Sequence, residues 1–139
     1  ESIIPALDAL IEKAAEKAGV EAKIEVLTYN LPGYKGLVYP TERYFPTWLL
    51  PEDHLLLKSS INTFNTLFDK LPVTSKWIFS TNGVATMGMH KIPTIGFGPG
   101  NEQYAHSSDE HVPVEHVLKA AAWYALFPSI YVKTLEKGE

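Results

Sequence analysis

The sequence predicts an α/β fold: a mostly parallel sheet flanked by helices, preceded by a helix–strand piece of a smaller α/β layer. Three observations carry this expectation. Apolar residues recur at helical spacing in three separate stretches. Short runs of β-prone residues stand between the second and third of them, and strands separated by helices imply parallel pairing with helices on the sheet faces. A proline- and aromatic-rich stretch then divides the chain into residues 1–29, a crossover at 30–53, and residues 54–139.

The elements follow in order. Ile3, Ile4, Leu7, Leu10, Ile11, Ala14, Ala15 and Ala18 predict a helix over 2–18, with Ser2 as N-cap and Gly19 as stop. Ala22, Ile24, Val26 and Thr28 then alternate with Glu21, Lys23, Glu25 and Leu27, the period of a strand covered on one face and ending at Tyr29. From Asn30 to Asp53 the chain carries Pro32, Pro40, Pro46 and Pro51 among Tyr34, Tyr39, Tyr44, Phe45 and Trp48. Proline fixes φ and removes backbone donors, so this stretch reads as an extended crossover anchored by aromatic rings. Asp53 is the expected N-cap of a second helix whose core stripe is Leu57, Ile61, Phe64 and Phe68. Strands are expected at Val73–Phe79 and Ile92–Phe97, with a short helix over Val84–Met89 between them. Pro113 opens a third helix marked by Val114, Val117, Leu118, Ala121, Tyr124 and Ala125, and Pro128 should kink or interrupt it.

Composition narrows the function. The chain has 139 residues, 45% of them hydrophobic and 20% charged, as in an ordinary globular protein. A net charge of −4 without any Lys/Arg run disfavours nucleic acid, whose phosphates demand a basic face. The absence of cysteine removes disulfides, thiolate metal sites and cysteine nucleophiles, and leaves His, Asp and Glu as metal ligands. The longest apolar run, Ala120 to Pro128, is about half of the roughly 18 residues that span a bilayer, so no membrane association is expected and the reading is a soluble, cytoplasmic protein. The chain opens at Glu1 inside a helix signal and without an initiator Met, which predicts further sequence upstream.

Several residues are candidates for chemistry. Gly96-Phe97-Gly98-Pro99-Gly100 follows an expected strand, where ligands bind in open α/β sheets. It matches neither the dinucleotide fingerprint nor a P-loop, and read from the residues alone it is a tight turn needing positive φ. His106, in a polar turn, is an imidazole suited to zinc, but one histidine is not a metal site. Glu102, Asp109 and Glu110 can contribute carboxylates, although the last two also read as capping acids of the final helix. His111 and His116 are five apart and share no helical face, and with His54 and His90 they read as surface residues. Ser80-Thr81-Asn82-Gly83 offers hydroxyls and helix N-terminal amides to a carboxylate or oxyanion, or is simply a capped turn. No Gly-x-Ser-x-Gly elbow supports a serine hydrolase.

Taken as a unit, the run from Trp77 through Ser80-Thr-Asn-Gly83 and Ile92-Pro-Thr-Ile-Gly-Phe-Gly-Pro-Gly100 to Ala105-His106 resembles the C-terminal part of the co-catalytic zinc hydrolases. These include acetylornithine deacetylase, succinyl-diaminopimelate desuccinylase and related carboxypeptidases. Leu37-Val-Tyr-Pro-Thr-Glu-Arg-Tyr-Phe-Pro-Thr-Trp48, Pro51-Glu-Asp-His54 and Lys119-Ala-Ala-Ala-Trp-Tyr124 look like its selenium-metabolism-linked branch. The resemblance covers nearly the whole chain. It implies that residues 1–29 end a lid or dimerisation domain and that residues 54–139 are the C-terminal part of the catalytic domain. It implies His106 as the last ligand of a two-zinc site that also accepts cobalt or manganese, and Thr81, Asn82, Gly83, Gly98 and Gly100 as substrate-cleft residues. It further implies a homodimer when intact, and cleavage of an amide in an N-acyl amino acid or small peptide by a metal-bound hydroxide. Asp is common in that family at the position of Asn82. The family's His-x-Asp motif, its adjacent glutamate pair and its further carboxylate ligand do not occur here, so these residues alone are expected to be inactive. The alternative is a non-catalytic, stand-alone module for packing or dimerisation.

Overall fold

Three helices and one small hairpin make up the regular structure of the computed structural model, which describes residues 3–136. The chain divides into two units, Glu1–Thr47 and Trp48–Glu139, and the division falls inside the proline-rich segment.

In the first unit, helix α1 (Ile4–Ala18) starts with Pro5 in its first turn, where a missing N–H costs nothing. It stops at Gly19, whose φ of 67° is left-handed. There the N–H of Gly19 bonds to Glu16 O and that of Val20 to Ala15 O, a Schellman ending that only glycine enters without strain. Ser2, the expected N-cap, lies outside the described residues. Beyond the helix, Ile24 and Val26 are half-buried while Lys23, Glu25 and Leu27 are exposed, so the alternation is present. Named ladder pairing begins at Thr28, because among the described residues no strand lies beside residues 22–26. Strands β1 (Thr28–Tyr29) and β2 (Thr41–Glu42) pair antiparallel, Thr28 opposite Glu42 and Tyr29 opposite Thr41. The same register continues through Arg43 N–H to Leu27 O and the Pro32–Val38 bridge to Gly33 N–H bonding Leu37 O at 2.8 Å. Tyr34-Lys35-Gly36 closes the hairpin, with Gly36 at φ 81°, the left-handed third position of a three-residue loop. The segment read as a crossover therefore holds the hairpin's turn and return arm.

In the second unit, helix α2 (Leu55–Phe68) packs on helix α3 (Val114–Glu136). His54, not Asp53, is the N-cap: its extended backbone lets Nδ1 accept the Leu56 N–H at 3.1 Å. The buried face of α2 centres on Ser59 and Thr63, one step round from the expected stripe of Leu57, Ile61, Phe64 and Phe68, which is half-buried. Small residues are needed there because Trp123 of α3, 2% exposed, fills the crossing and donates from Nε1 to Ser60 O. The buried face of α3 is accordingly Ala120 and Trp123, continued by Phe127 and Ile130, while the expected Val114, Val117, Leu118 and Tyr124 are exposed. Trp123 stacks on Phe127 at 4.6 Å and on Phe97 at 4.3 Å. Pro128 does not end α3, which runs eight residues past it. On the exposed side, Lys119 lies against Glu115 one turn earlier, and its hydrogen bond and charge hold that carboxyl below the ordinary glutamate range.

The expected mostly parallel sheet flanked by helices is overturned. Among the described residues the only sheet is the two-stranded antiparallel hairpin, and the fold is mostly helical. Residues 73–79 and 92–97 are not strands. A run rich in Val, Ile and Phe becomes a strand only when a neighbour satisfies its backbone donors and acceptors, and these two form no ladder with each other or with the hairpin. The helix–strand piece expected over 1–29 is likewise replaced by a helix and one arm of that hairpin. Among the described residues no helix is long and apolar enough to cross a membrane.

Candidate functional site

The candidate residues sit on two irregular segments of the second unit, 77–91 and 96–112. Tryptophan–glycine contacts and aromatic stacking hold them in place. The Trp77 indole lies against Gly96 so closely that a Cβ there would overlap the ring, and the Trp48 indole occupies the corresponding space at Gly83. Phe97 lies against both α2 and α3, stacked on Trp123 and edge to face with Phe64 at 6.2 Å between ring centroids, and its carbonyl accepts the Tyr124 hydroxyl. The glycine-rich segment is thus pinned to the helical core at Phe97. Gly98 has open space around it, and Gly100 adopts the positive φ, 102°, that the turn reading required of this stretch.

The Thr81-Asn82-Gly83 turn differs from the expectation that its helix N-terminal amides are available to an anion. Gly83 N–H donates to Thr81 Oγ1 at 3.2 Å, Val84 N–H to Thr81 O, and the Ala85 and Thr86 N–H groups to Asn82 O. These four donors are committed within the turn, while the Thr81 and Asn82 N–H groups, the Thr81 hydroxyl proton and the exposed Asn82 side chain stay uncommitted among the described residues. The helix over Val84–Met89 exists as expected, in the wide π form that the His90 N–H to Ala85 O bond marks.

His106 is exposed and built from several directions. Asn101 Oδ1 accepts the Gln103 N–H at 3.1 Å and starts a 3₁₀ turn over Glu102–Tyr104. Tyr104 O then accepts both the Ser107 N–H and, at 2.7 Å, the Ser107 hydroxyl, which fixes the far side of His106. His106 itself has φ 62°, a left-handed conformation uncommon for a residue with a side chain and shared among the described non-glycine residues with Asp69 and Lys91. Its backbone N–H donates to Glu110 Oε2 at 3.3 Å, and its ring meets Phe79 edge to face at 5.5 Å and 84°. Phe79 lies two residues before Thr81, so the two segments approach each other at this pair. Among the described residues neither ring nitrogen of His106 is hydrogen-bonded, which leaves both available as donor atoms. Glu110 spends a carboxylate oxygen on this loop instead of capping α3. His111, read as a surface residue, stacks at 4.4 Å on Tyr104 and contacts Asp109 O through Nδ1.

A catalytic zinc takes three protein ligands and keeps an open position. Among the described residues no group of three or more His, Asp or Glu side chains can hold a metal ion. His106 is a single imidazole and does not by itself make such a centre. Phe79, the bond between Glu110 and the His106 backbone, and the two tryptophan–glycine pairs escaped sequence reasoning, which read Glu110 as a carboxylate ligand or a helix cap. The tryptophans and glycines concerned are 19 to 35 residues apart, and the one available signal was bulky indoles in a chain whose glycines cluster in loops.

Over 121 residues, 87% of its length, the chain is 48% identical to an uncharacterized protein, YgeY, of Escherichia coli strain K12. It matches the YgeY of Escherichia coli O157:H7 to the same extent. The chain spans 30% of the length of these curated relatives. No protein-family model and no solved structure matches it.

Proposed function

We propose that the chain is the C-terminal part of a cytoplasmic, metal-dependent amidohydrolase or peptidase of the acetylornithine deacetylase and succinyl-diaminopimelate desuccinylase family. Its branch would be the selenium-metabolism-linked one, and its substrate an N-acyl amino acid or small peptide. The observation that carries the reading is the state of His106: a left-handed backbone, an exposed ring seated on Phe79, and both ring nitrogens without a hydrogen bond. Backbone strain held by surrounding contacts clusters at functional sites. In this reading His106 supplies one ligand of a two-zinc centre, whose ions polarise the amide carbonyl when bound. The other ligands and the general base come from residues outside this sequence, and the intact protein is a homodimer. The chain's own share is to hold the imidazole and to line one side of the cleft with Thr81, Asn82, Gly98 and Gly100.

The test is zinc binding and N-acyl amino acid hydrolysis by the complete gene product. His106→Ala should lower bound zinc and reduce turnover by roughly 10²-fold or more, while His111→Ala and His116→Ala stay close to the parent. Full zinc content and activity in His106→Ala would leave His106 as a solvated turn residue, whereas a complete gene product that binds no zinc and hydrolyses no amide would leave the non-catalytic packing module as the reading.

A further inference from the structure

We infer that Glu110 is a positioning residue for His106. The inference rests on the reading of His106 as a metal ligand, and it deepens that reading by assigning the group that sets where the imidazole stands.

A histidine at φ 62° directs its side chain differently from one at ordinary negative φ, so whatever holds that backbone decides the position of the ring. Two contacts are available to do so. Phe79 touches the ring itself, edge to face, and limits its tilt. Glu110 acts on the backbone: Oε2 accepts the His106 N–H from four residues further on, closing the loop 106–110 into a ring. The closure is reinforced by the Glu110 N–H, which donates to Ser107 O, so the same residue grips the loop through its main chain and its side chain. A carboxylate makes a stronger acceptor than a neutral oxygen, and this carboxylate forms no ion pair among the described residues. Its interaction is therefore spent on one backbone N–H, that of the histidine. Groups of this kind, which touch a ligand residue without touching the metal, typically change metal affinity 10–100-fold when removed.

The experiment compares Glu110→Ala and Glu110→Gln in the complete gene product, with zinc as the probe in a chelator competition and hydrogen exchange read on the peptide covering residues 104–111. Glu110→Ala should lose about 10-fold or more in zinc affinity and exchange faster in that peptide, with an unchanged melting temperature because the side chain is exposed. Glu110→Gln, whose amide oxygen still accepts, should recover most of both. Unchanged exchange in Glu110→Ala would overturn the inference, as would faster exchange with parental zinc affinity. His106→Ala, run alongside, separates the two ideas. If it binds zinc like the parent, the ligand reading fails, while the exchange data still report on the clamp.

Discussion

Individual residues on the candidate segments are constrained by what occupies the space beside them. Gly83 is the clearest case. It is buried, its φ is ordinary, and its lack of a side chain is required by the Trp48 ring and not by its backbone. Gly83→Ala should therefore destabilise the second unit by about 1–3 kcal/mol, the range of overpacking a filled site. Adding Trp48→Ala should make the glycine substitution nearly neutral, a coupling that a denaturation double-mutant cycle measures. Additive effects would mean that the indole moves away at little cost. Gly98, with open space around it, should tolerate alanine in the same assay. The glycines in this region thus looked equivalent in sequence and differ in structure. Gly100 answers a backbone need, Gly83 and Gly96 a neighbour's ring, and Gly98 neither.

At the scale of elements, the three helices were legible from periodicity, and so was Ala15 as the buried residue of α1, but the buried faces of α2 and α3 were not. Ser59 and Thr63 became the buried positions of α2 because Trp123 needs room at the crossing, and apolar Leu57 and Ile61 were displaced to its margins. A helix face is selected by fit to its partner, and a hydropathy pattern contains no partner. Pro128 presents the opposite mismatch: a helix breaker by type, carried within a helix. Its missing N–H leaves the Tyr124 carbonyl without the usual donor, and its ring crowds that carbonyl. Pro128→Ala should therefore stabilise α3 by up to about 3 kcal/mol, visible as a raised melting temperature. A melting temperature that stays put or falls would show that the proline's rigidity already compensates for the lost bond. The site loop follows the same rule as the helices: Asn101 was legible only as a small polar residue, and it acts as a cap because the next turn offers it an N–H.

For the molecule as a whole, the two units differ in how much they bury. In the first, Leu10, Leu31, Leu37 and Tyr39 are all more than half exposed, Tyr34 is 96% exposed, and Ala15 alone among its apolar residues is buried. In the second, Trp123 and its aromatic neighbours anchor a helix pair. A two-stranded hairpin is marginal by itself, and local stability follows buried apolar contact. In the 139-residue chain, amides of α1 and the hairpin should exchange faster than those of α2 and the central turns of α3. Equal protection of α1 and α3 would contradict this and would point to association that covers the first unit.

The features legible from residue order alone are local: three amphipathic helices, the glycine stop of α1, the short helix over Val84–Met89, and the positive-φ turn in the glycine-rich stretch at Gly100. Each follows from interactions within about five residues, which composition and spacing encode. Features that depend on distant partners were not legible. The runs at 73–79 and 92–97 have strand composition and no strand partner, so the parallel sheet they suggested does not form. Likewise, His106 stood out as one imidazole in a polar turn. Its seat on Phe79 joins segments that only folding brings together, while its left-handed backbone and its clasp by Glu110, four residues on, are local features that composition and spacing do not encode. The physical reason is the same in both cases: strand pairing and side-chain placement are set by partners in space, and a single sequence names candidates without naming their neighbours.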